Sequence, residues 1–455
     1  MKFVLFGTGE PGARHYNRLK SEYNIVCFAD NDPGKQGRKL LSLDIINPND
    51  IAELGLSVII SAGFHIRLQI IKQLFDMGVK CFYIPEDNKM HVLKYIDLSA
   101  YIDLSEKPNK VCVLRREHAG VVSSALIKNN PFTDMEIVSI DDRTRDDNYY
   151  YHYLTSSLII KHFAEDIRNK KSIELWHGFT IKAIGLMNCD DNDIHFAKYV
   201  QDSLSKRSVI CSLSKLYSIF FGYCCGVPYE EFFITGYPRN DTLFSANGRE
   251  MLLKLLGPIK QKRVAIYLPT YRVDKNNSSA NGSCSFIFNL PDFHETDFNE
   301  YLKKNDILFL FKMHSLEAAL QVIRETEHIK MITDAMLDNC GMDLYEILNG
   351  TDCLISDYSS VIIDYLLTDK PMIFTPTDLE EYSETRGLMT EPYDSWMPGE
   401  IAVTYDCLKS ALYQACYGDD IYKRDRERLK RITHKFHDAK SSERVLSLAR
   451  DIMGI

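Results

Sequence analysis

Four short segments set proton-accepting, hydroxyl-bearing or cationic side chains directly after apolar runs. In "ELWHGFTIKAIG", His177 opens the loop that follows Trp176. An imidazole with an ordinary pKa of about 6.5 at such a place can take a proton from a hydroxyl near neutral pH. In "YLPTYR", Thr270 and Arg272 stand just past an apolar run, and in "FLFKMHS" Lys312 and His314 alternate at the end of another. A guanidinium fork and a protonated imidazole both suit phosphate oxygens, and basic residues at neighbouring exits point to an anion.

The fourth segment, "DCLISDYSSVIIDYLL", puts Asp357, Ser359 and Ser360 between the apolar stub Cys353–Ile355 and a second apolar stretch carrying Asp364. Ser359 and Ser360 are expected to cap a helix starting at "VIIDYLL", whose first-turn N–H groups and dipole favour phosphate. An ordinary serine cap would account for one hydroxyl but leaves the second, and the flanking acids, unexplained. Asp357 and Asp364 could hold Mg²⁺ beside a phosphate, but no D-x-D accompanies them and no metal dependence is expected. A P-loop and a G-x-S-x-G elbow are both absent from the sequence, which argues against ATPase and α/β-hydrolase chemistry.

The elements that must carry these residues are strands alternating with helices. "KFVLFG", "NIVCFAD", "SVIISAG" and "KCFYIP" read as strands of a small leading Rossmann-like unit. In it Gly7, Gly9 and Gly12 form G-x-G-x-x-G after a strand, and Asp30 follows at the spacing of a ribose-binding acid. Either a nucleotide lies over this turn, or the glycines serve packing in an accessory fold. "KVCVLRREHAG", "EIVSID", "KSIELWHG", "SVICSLS" and "FFITGYPRND" supply strands of a second unit. "KRVAIYLPTYR", "DILFLFKMHS", "DCLISDYSS" and "PMIFTPTD" supply a third. The expected class is α/β, with parallel sheets and ligands at the carboxyl ends of the strands. The units are expected at 1–105, 106–258 and 259–455. "DKNNSSANGSCS" (274–285) reads as a surface loop, and the charged C-terminal stretch from Tyr422 as a helix with a solvated face.

Composition narrows the partners. A length of 455 residues with 45% hydrophobic and 26% charged residues suffices for two or three cored domains. A formal net charge of -9 argues against a general nucleic-acid binder. The 12 cysteines show neither zinc spacing nor C-x-x-C, which fits a reducing cytoplasm. No apolar run reaches the roughly 18 residues of a membrane span, and "MKFVLFGTG" makes a poor signal peptide, so any membrane contact would be peripheral.

"WHGFTIKAIG", "GYPRND", "YLPTYR", "FKMHS", "DLYEILNGTDCLISDYSSVIIDYLLTDKPMIF", "YSETRGL" and "YDSWMPGE", in this order, resemble the CDP-glycerol glycerophosphotransferase family of teichoic-acid and capsule enzymes over roughly 110–450. The resemblance implies a GT-B-like pair of Rossmann-type domains facing across a cleft, with the donor held mainly by the C-terminal one. It implies transfer of glycerol phosphate or ribitol phosphate from a CDP-alditol to a hydroxyl of a polymer or lipid-linked acceptor, releasing CMP and needing no cofactor. On the matching motifs, His177 takes the place of the base and His314 of a histidine on the donor pyrophosphate. Ser359 and Ser360 take the place of phosphate-binding hydroxyls, and Arg272 and Arg239 fall in matching motifs. The chain departs from the family in having Ser315 after the second histidine instead of proline, and Gly178, Phe179 and Thr180 where "GTP" is usual. The residues alone also leave open a GT-B glycosyltransferase or epimerase using a UDP- or GDP-sugar, and a nucleotide-sensing scaffold.

Overall fold

A computed structural model describes residues 1–86, 91–115, 120–162, 170–187, 198, 201–202, 208–245, 247–270, 288, 290–312 and 323–455 of the chain. Among them are three sheets. The first runs in the order β3-β4-β2-β1-β5-β6-β7, with β1 (Phe3–Phe6), β2 (Ile25–Ala29), β3 (Lys39–Leu40), β4 (Leu43–Ile46), β5 (Ser57–Ile60), β6 (Cys81–Pro85) and β7 (Leu93–Asp97). Its middle is parallel, and β3 and β7 close the edges antiparallel.

The second sheet is parallel, in the order β13-β12-β11-β10-β8-β9. It comprises β8 (Lys107–Arg115), β9 (Glu136–Asp141), β10 (Ser156–Lys161), β11 (Lys171–Glu174), β12 (Ser208–Ser212) and β13 (Phe232–Ile234). Strand β10, central to this sheet, is absent from the strands expected from sequence. It follows the helix Asp147–Thr155 with no turn residue between, so no punctuation marks its start.

The third sheet is parallel in the order β16-β15-β14-β17-β18-β19. Its strands are β14 (Arg263–Leu268), β15 (Ile307–Phe311), β16 (Ile329–Met331), β17 (Cys353–Ser356), β18 (Met372–Phe374) and β19 (Glu400–Ile401). The chain therefore reverses direction across the sheet between β14 and β17, and it is at such a switch point that open α/β sheets bind ligands.

Two shared cores join the sheets. One runs from Trp176, Ile210 and Phe221 of the second unit into Val264, Leu310 and Leu354 of the third. The other joins Val4, Ile60 and Phe82 of the first sheet to Cys112 and Ile159 of the second through the buried Tyr149, Tyr150 and Tyr153. The C-terminal stretch, expected to be helical with a solvated face, is helical. It forms two helices, Lys423–Thr433 and Ser441–Met453. The second returns from the third unit to bury Val445, Leu446 and Ala449 against Val111, Val113 and Ile160 of the second sheet. Asp241 caps that helix by accepting Ser441 N and Ser442 N at 2.8 and 2.7 Å. The loop expected at 274–285 lies outside the described residues.

Candidate active site

His177 stands in the turn that leaves β11. Trp176 adopts φ 53° there, and the indole and imidazole rings stack with centroids 4.5 Å apart. The turn is held from below by Glu174, which is fully buried and accepts Trp176 N at 2.7 Å. Burial pushes the Glu174 carboxyl up, against the pull of Lys161 at 3.7 Å.

With its proton on Nδ1, facing the His162 carbonyl at 3.4 Å, His177 keeps Nε2 as the accepting nitrogen. The surrounding protein lowers the imidazole pKa from its ordinary value to about 4, chiefly by desolvation, aided by Arg239 and Lys182 and opposed by the His162 carbonyl. The side chain is nonetheless solvent-accessible in the cleft, and water reaching it moderates the shift. The direction carries the argument: the ring is neutral at pH 7 and able to accept a proton.

Arg239, grouped by sequence with the donor-binding residues, forms a joint between the two units. Its Nη1 donates to the His177 carbonyl at 2.9 Å, and its Nη2 to Asp364 Oδ2 at 2.7 Å. Asp364 is fully buried and also accepts Asn240 Nδ2 at 3.0 Å and Tyr345 Oη at 2.6 Å. Burial works against the Arg239 charge, but Asp364, Tyr345 and Tyr237 outweigh it and hold the guanidinium above its ordinary pKa. Arg239 and Asp364 are thus spent on each other. Asn240 and Tyr345, which sequence reasoning left unassigned, complete the joint; both sit inside the quoted motifs, which were the only signal available.

Asp357 is likewise committed to the backbone. It accepts Thr270 N at 2.8 Å and Tyr358 N at 2.6 Å, tying the exit of β14 to the exit of β17 across the switch point. Thr270 is buried beneath this link. Ser359 and Ser360 follow, half-buried, and here the expected cap is corrected. Ser360 occupies the cap position of the helix Val361–Tyr365 but makes no side-chain cap bond. The helix has five residues and gives way to a 3-10 turn, so the dipole of a long helix is not at work. The Ser360 side chain packs instead on Gly178. A Cβ on Gly178 would collide with Ser360 Oγ and lie 2.9 Å from its Cβ. The turn that carries His177 and the serine turn therefore touch, backbone to side chain.

A second seam lies beside this contact. Ala183 N donates to Gly387 O at 3.1 Å and Met389 N to Ile181 O at 2.7 Å, pairing the chain after His177 with the "TRGL" segment. Lys312 reaches the exit of β15, where it pairs with Asp334 at 2.8 Å. Arg272 and His314 lie outside the described residues. Among the described residues no group of three His, Cys, Asp or Glu is placed to hold a metal ion.

In the leading unit the glycine turn is present and its acid is occupied. Asp30 accepts Thr8 N at 3.2 Å, the Thr8 hydroxyl, Asp32 N at 2.9 Å and Lys35 Nζ at 3.2 Å. Burial raises its pKa, but these donors more than offset that and hold it below the ordinary carboxylate value. A Cβ on Gly7 would strike Ser61 O, and one on Gly12 would strike Gly7 O; packing alone accounts for both glycines. At Gly9 a Cβ would meet only Pro11, at 3.7 Å.

The family model described as CDP-Glycerol:Poly(glycerophosphate) glycerophosphotransferase matches residues 96–449, and one described as C2185-like, N-terminal, matches 1–84. Teichoic acid ribitol-phosphate polymerase TarL of Staphylococcus aureus is 31% identical over 296 residues, covering 63% of this chain and 48% of its own. A teichoic acid glycerol-phosphate primase of Bacillus subtilis is 26% identical over 313 residues, covering 68% and 73%. The chain spans about half the length of the ribitol-phosphate polymerases it matches. Among solved structures, the wall teichoic acid polymerase TagF superposes with a TM-score of 0.60 at 20% identity, over 77% of this chain and 90% of that one. That likeness shows the fold: the second and third units form a GT-B-like pair.

Proposed function

The chain belongs to the CDP-glycerol:poly(glycerophosphate) glycerophosphotransferase family, and on that premise we propose that it transfers an alditol phosphate from CDP-glycerol or CDP-ribitol to a hydroxyl of a surface-polymer or lipid-linked acceptor. The observation that carries this reading is the contact of Gly178 with Ser360, which brings the turn that carries His177 in one unit against the half-buried Ser360 of the other. Relatives named as ribitol-phosphate and glycerol-phosphate polymerases support the donor class, as does a TagF structure soaked with CDPG.

In this reading His177 Nε2 takes the proton of the acceptor hydroxyl as its oxygen attacks the alditol-bearing phosphorus. The bond from that phosphorus to the bridging oxygen of the pyrophosphate breaks in line, and CMP departs with the bridging oxygen and the electron pair. Ser359 and Ser360 hold the pyrophosphate, and basic groups at the neighbouring exits, Lys312 with Arg272 and His314, take the charge that grows on the leaving CMP. Arg239, Asp364 and Asp357 act through position: they set the two turns against each other. The protein's own cations serve where a metal would, so the reading calls for no cofactor. Work on a lipid-linked acceptor would place the enzyme in the cytoplasm, peripheral to the membrane; among the described residues no helix is long and apolar enough to cross one.

A donor panel tests this. CDP-glycerol or CDP-ribitol should raise the melting temperature, since a ligand of the native state stabilises it by mass action. Stabilisation by UDP- or GDP-sugars with none by CDP donors would replace the reading with a glycosyltransferase one.

A further inference from the structure

The third sheet has a second concave feature, at the end opposite the catalytic crevice. It is a pocket of about 360 Å³ where β14, β17 and β18 begin, lined among others by Arg249, Lys262, Asp352 and Lys370. Strand β14, at roughly 3.3 Å per residue, sets it some ~20 Å from the turn that carries Thr270.

Its charge is unbalanced. The one carboxylate in the lining, Asp352, is already engaged by Arg263 Nη1 at 3.0 Å and Val264 N at 2.7 Å. Among the described residues no carboxylate pairs with Arg249, Lys262 or Lys370. Arg249 Nη2 donates to the Gln261 carbonyl at 3.0 Å, and Lys370 Nζ to the carbonyls of Asn349 and of Thr351, the latter at 2.7 Å. Lys262 Nζ lies 5.9 Å from the centre of the Tyr417 ring. Asp369, next to Lys370 in the chain, is paired with Lys430, and the exposed Asp306 acts on Tyr417. Burial lowers the Lys370 pKa; the nearby Asp352 opposes this and Arg249 adds to it.

The floor of the pocket is bare backbone. A Cβ on Gly248 would strike Gly350 N, and one on Gly350 would strike the Gly248 carbonyl, so the two glycines let the chain segments close up beneath the cations. An overall charge of -9 makes such a cluster stand out from its surroundings. Solvated basic residues ordinarily spread over a convex face. Here a guanidinium fork and two ammonium groups line one recess.

We propose that this pocket is an anion site that takes phosphate groups, either as free phosphate or as the phosphodiesters of a polyanionic chain. A fork plus two point charges suits tetrahedral oxyanions, and a volume of about 360 Å³ admits one phosphate with its substituents. The site does not depend on the catalytic reading, because its residues lie at the opposite strand ends.

Calorimetric titration of the full chain at fixed ionic strength tests it, with inorganic phosphate in one arm and a short glycerol-phosphate oligomer in the other. Saturable binding is expected in at least one arm, weakened about tenfold or more in the Arg249→Gln/Lys262→Gln variant. Tighter binding of the oligomer would assign the site to phosphodiesters, and binding of phosphate alone to the free ion. Lys262→Gln by itself guards against misfolding, because that exposed side chain can be shortened without disturbing the fold, and it too should weaken binding. No saturable binding in either arm, or equal affinity in wild type and both Lys262 variants, would overturn the proposal.

Discussion

In the proposed reading, His177 is a side chain of ordinary chemistry made a base by its setting. Desolvation and the nearby Arg239 and Lys182 favour the neutral ring, lowering its pKa to about 4. The proton-accepting form is then present above that value and lost as pH falls through it. The acid limb of the transfer rate should accordingly lie below the 6.5 or so of a free imidazole. A limb near pH 6.5 in a rate profile would show that the ring is not held neutral. Asp364 carries a different kind of consequence. It is fully buried and accepts three donors, so Asp364→Asn leaves the Arg239 guanidinium buried without its counter-charge. A loss of about 3–5 kcal/mol is expected in urea unfolding, and a change under 1 kcal/mol would mean the joint is not the structural tie described here.

At the scale of elements, the proposed catalytic geometry is the meeting of two turns, one after β11 and one after β17. Gly178→Ala should force the serine turn away, because the new methyl meets Ser360. Turnover should fall by about tenfold or more; wild-type turnover in Gly178→Ala would show that the two turns do not act through this contact. The strand exits and their polar residues were legible in the sequence, since apolar runs ending in His177, Thr270, Lys312 and Asp357 need no tertiary knowledge. Their partners were not. Arg239 and Asp364 are 125 residues apart and Gly178 meets a serine from another unit, and neither periodicity nor spacing encodes such pairings. The helix after Ser360 was legible as a helix but not in its length. It gives way to the 3-10 turn Leu366–Thr368, and that turn ends where Asp369 adopts the left-handed φ of 59°.

At the scale of the molecule, three sheets share two continuous cores, which binds the leading unit to the GT-B-like pair. Tyr153 is buried between them, with its ring 5.4 Å from that of Phe64. Tyr153→Ala should cost about 3–5 kcal/mol and lower the unfolding midpoint read from amide exchange in β1 together with that read in β10. Loss confined to β10 would mean the leading unit folds apart from the rest. The composition legible from sequence, an acidic α/β chain, excluded general nucleic-acid binding but could not show a local basic recess at the entry of the third sheet, because Arg249, Lys262 and Lys370 converge only in the fold. The central claim is that His177 drives attack on a CDP-alditol, and acceptor-dependent release of CMP by the full chain and by His177→Ala measures it most directly. The wild type should release CMP from CDP-glycerol or CDP-ribitol only when acceptor is present, and His177→Ala should be slower by about 100-fold or more with donor binding retained. CMP release by the variant at the wild-type rate, or none by the wild type with either donor, would contradict the account.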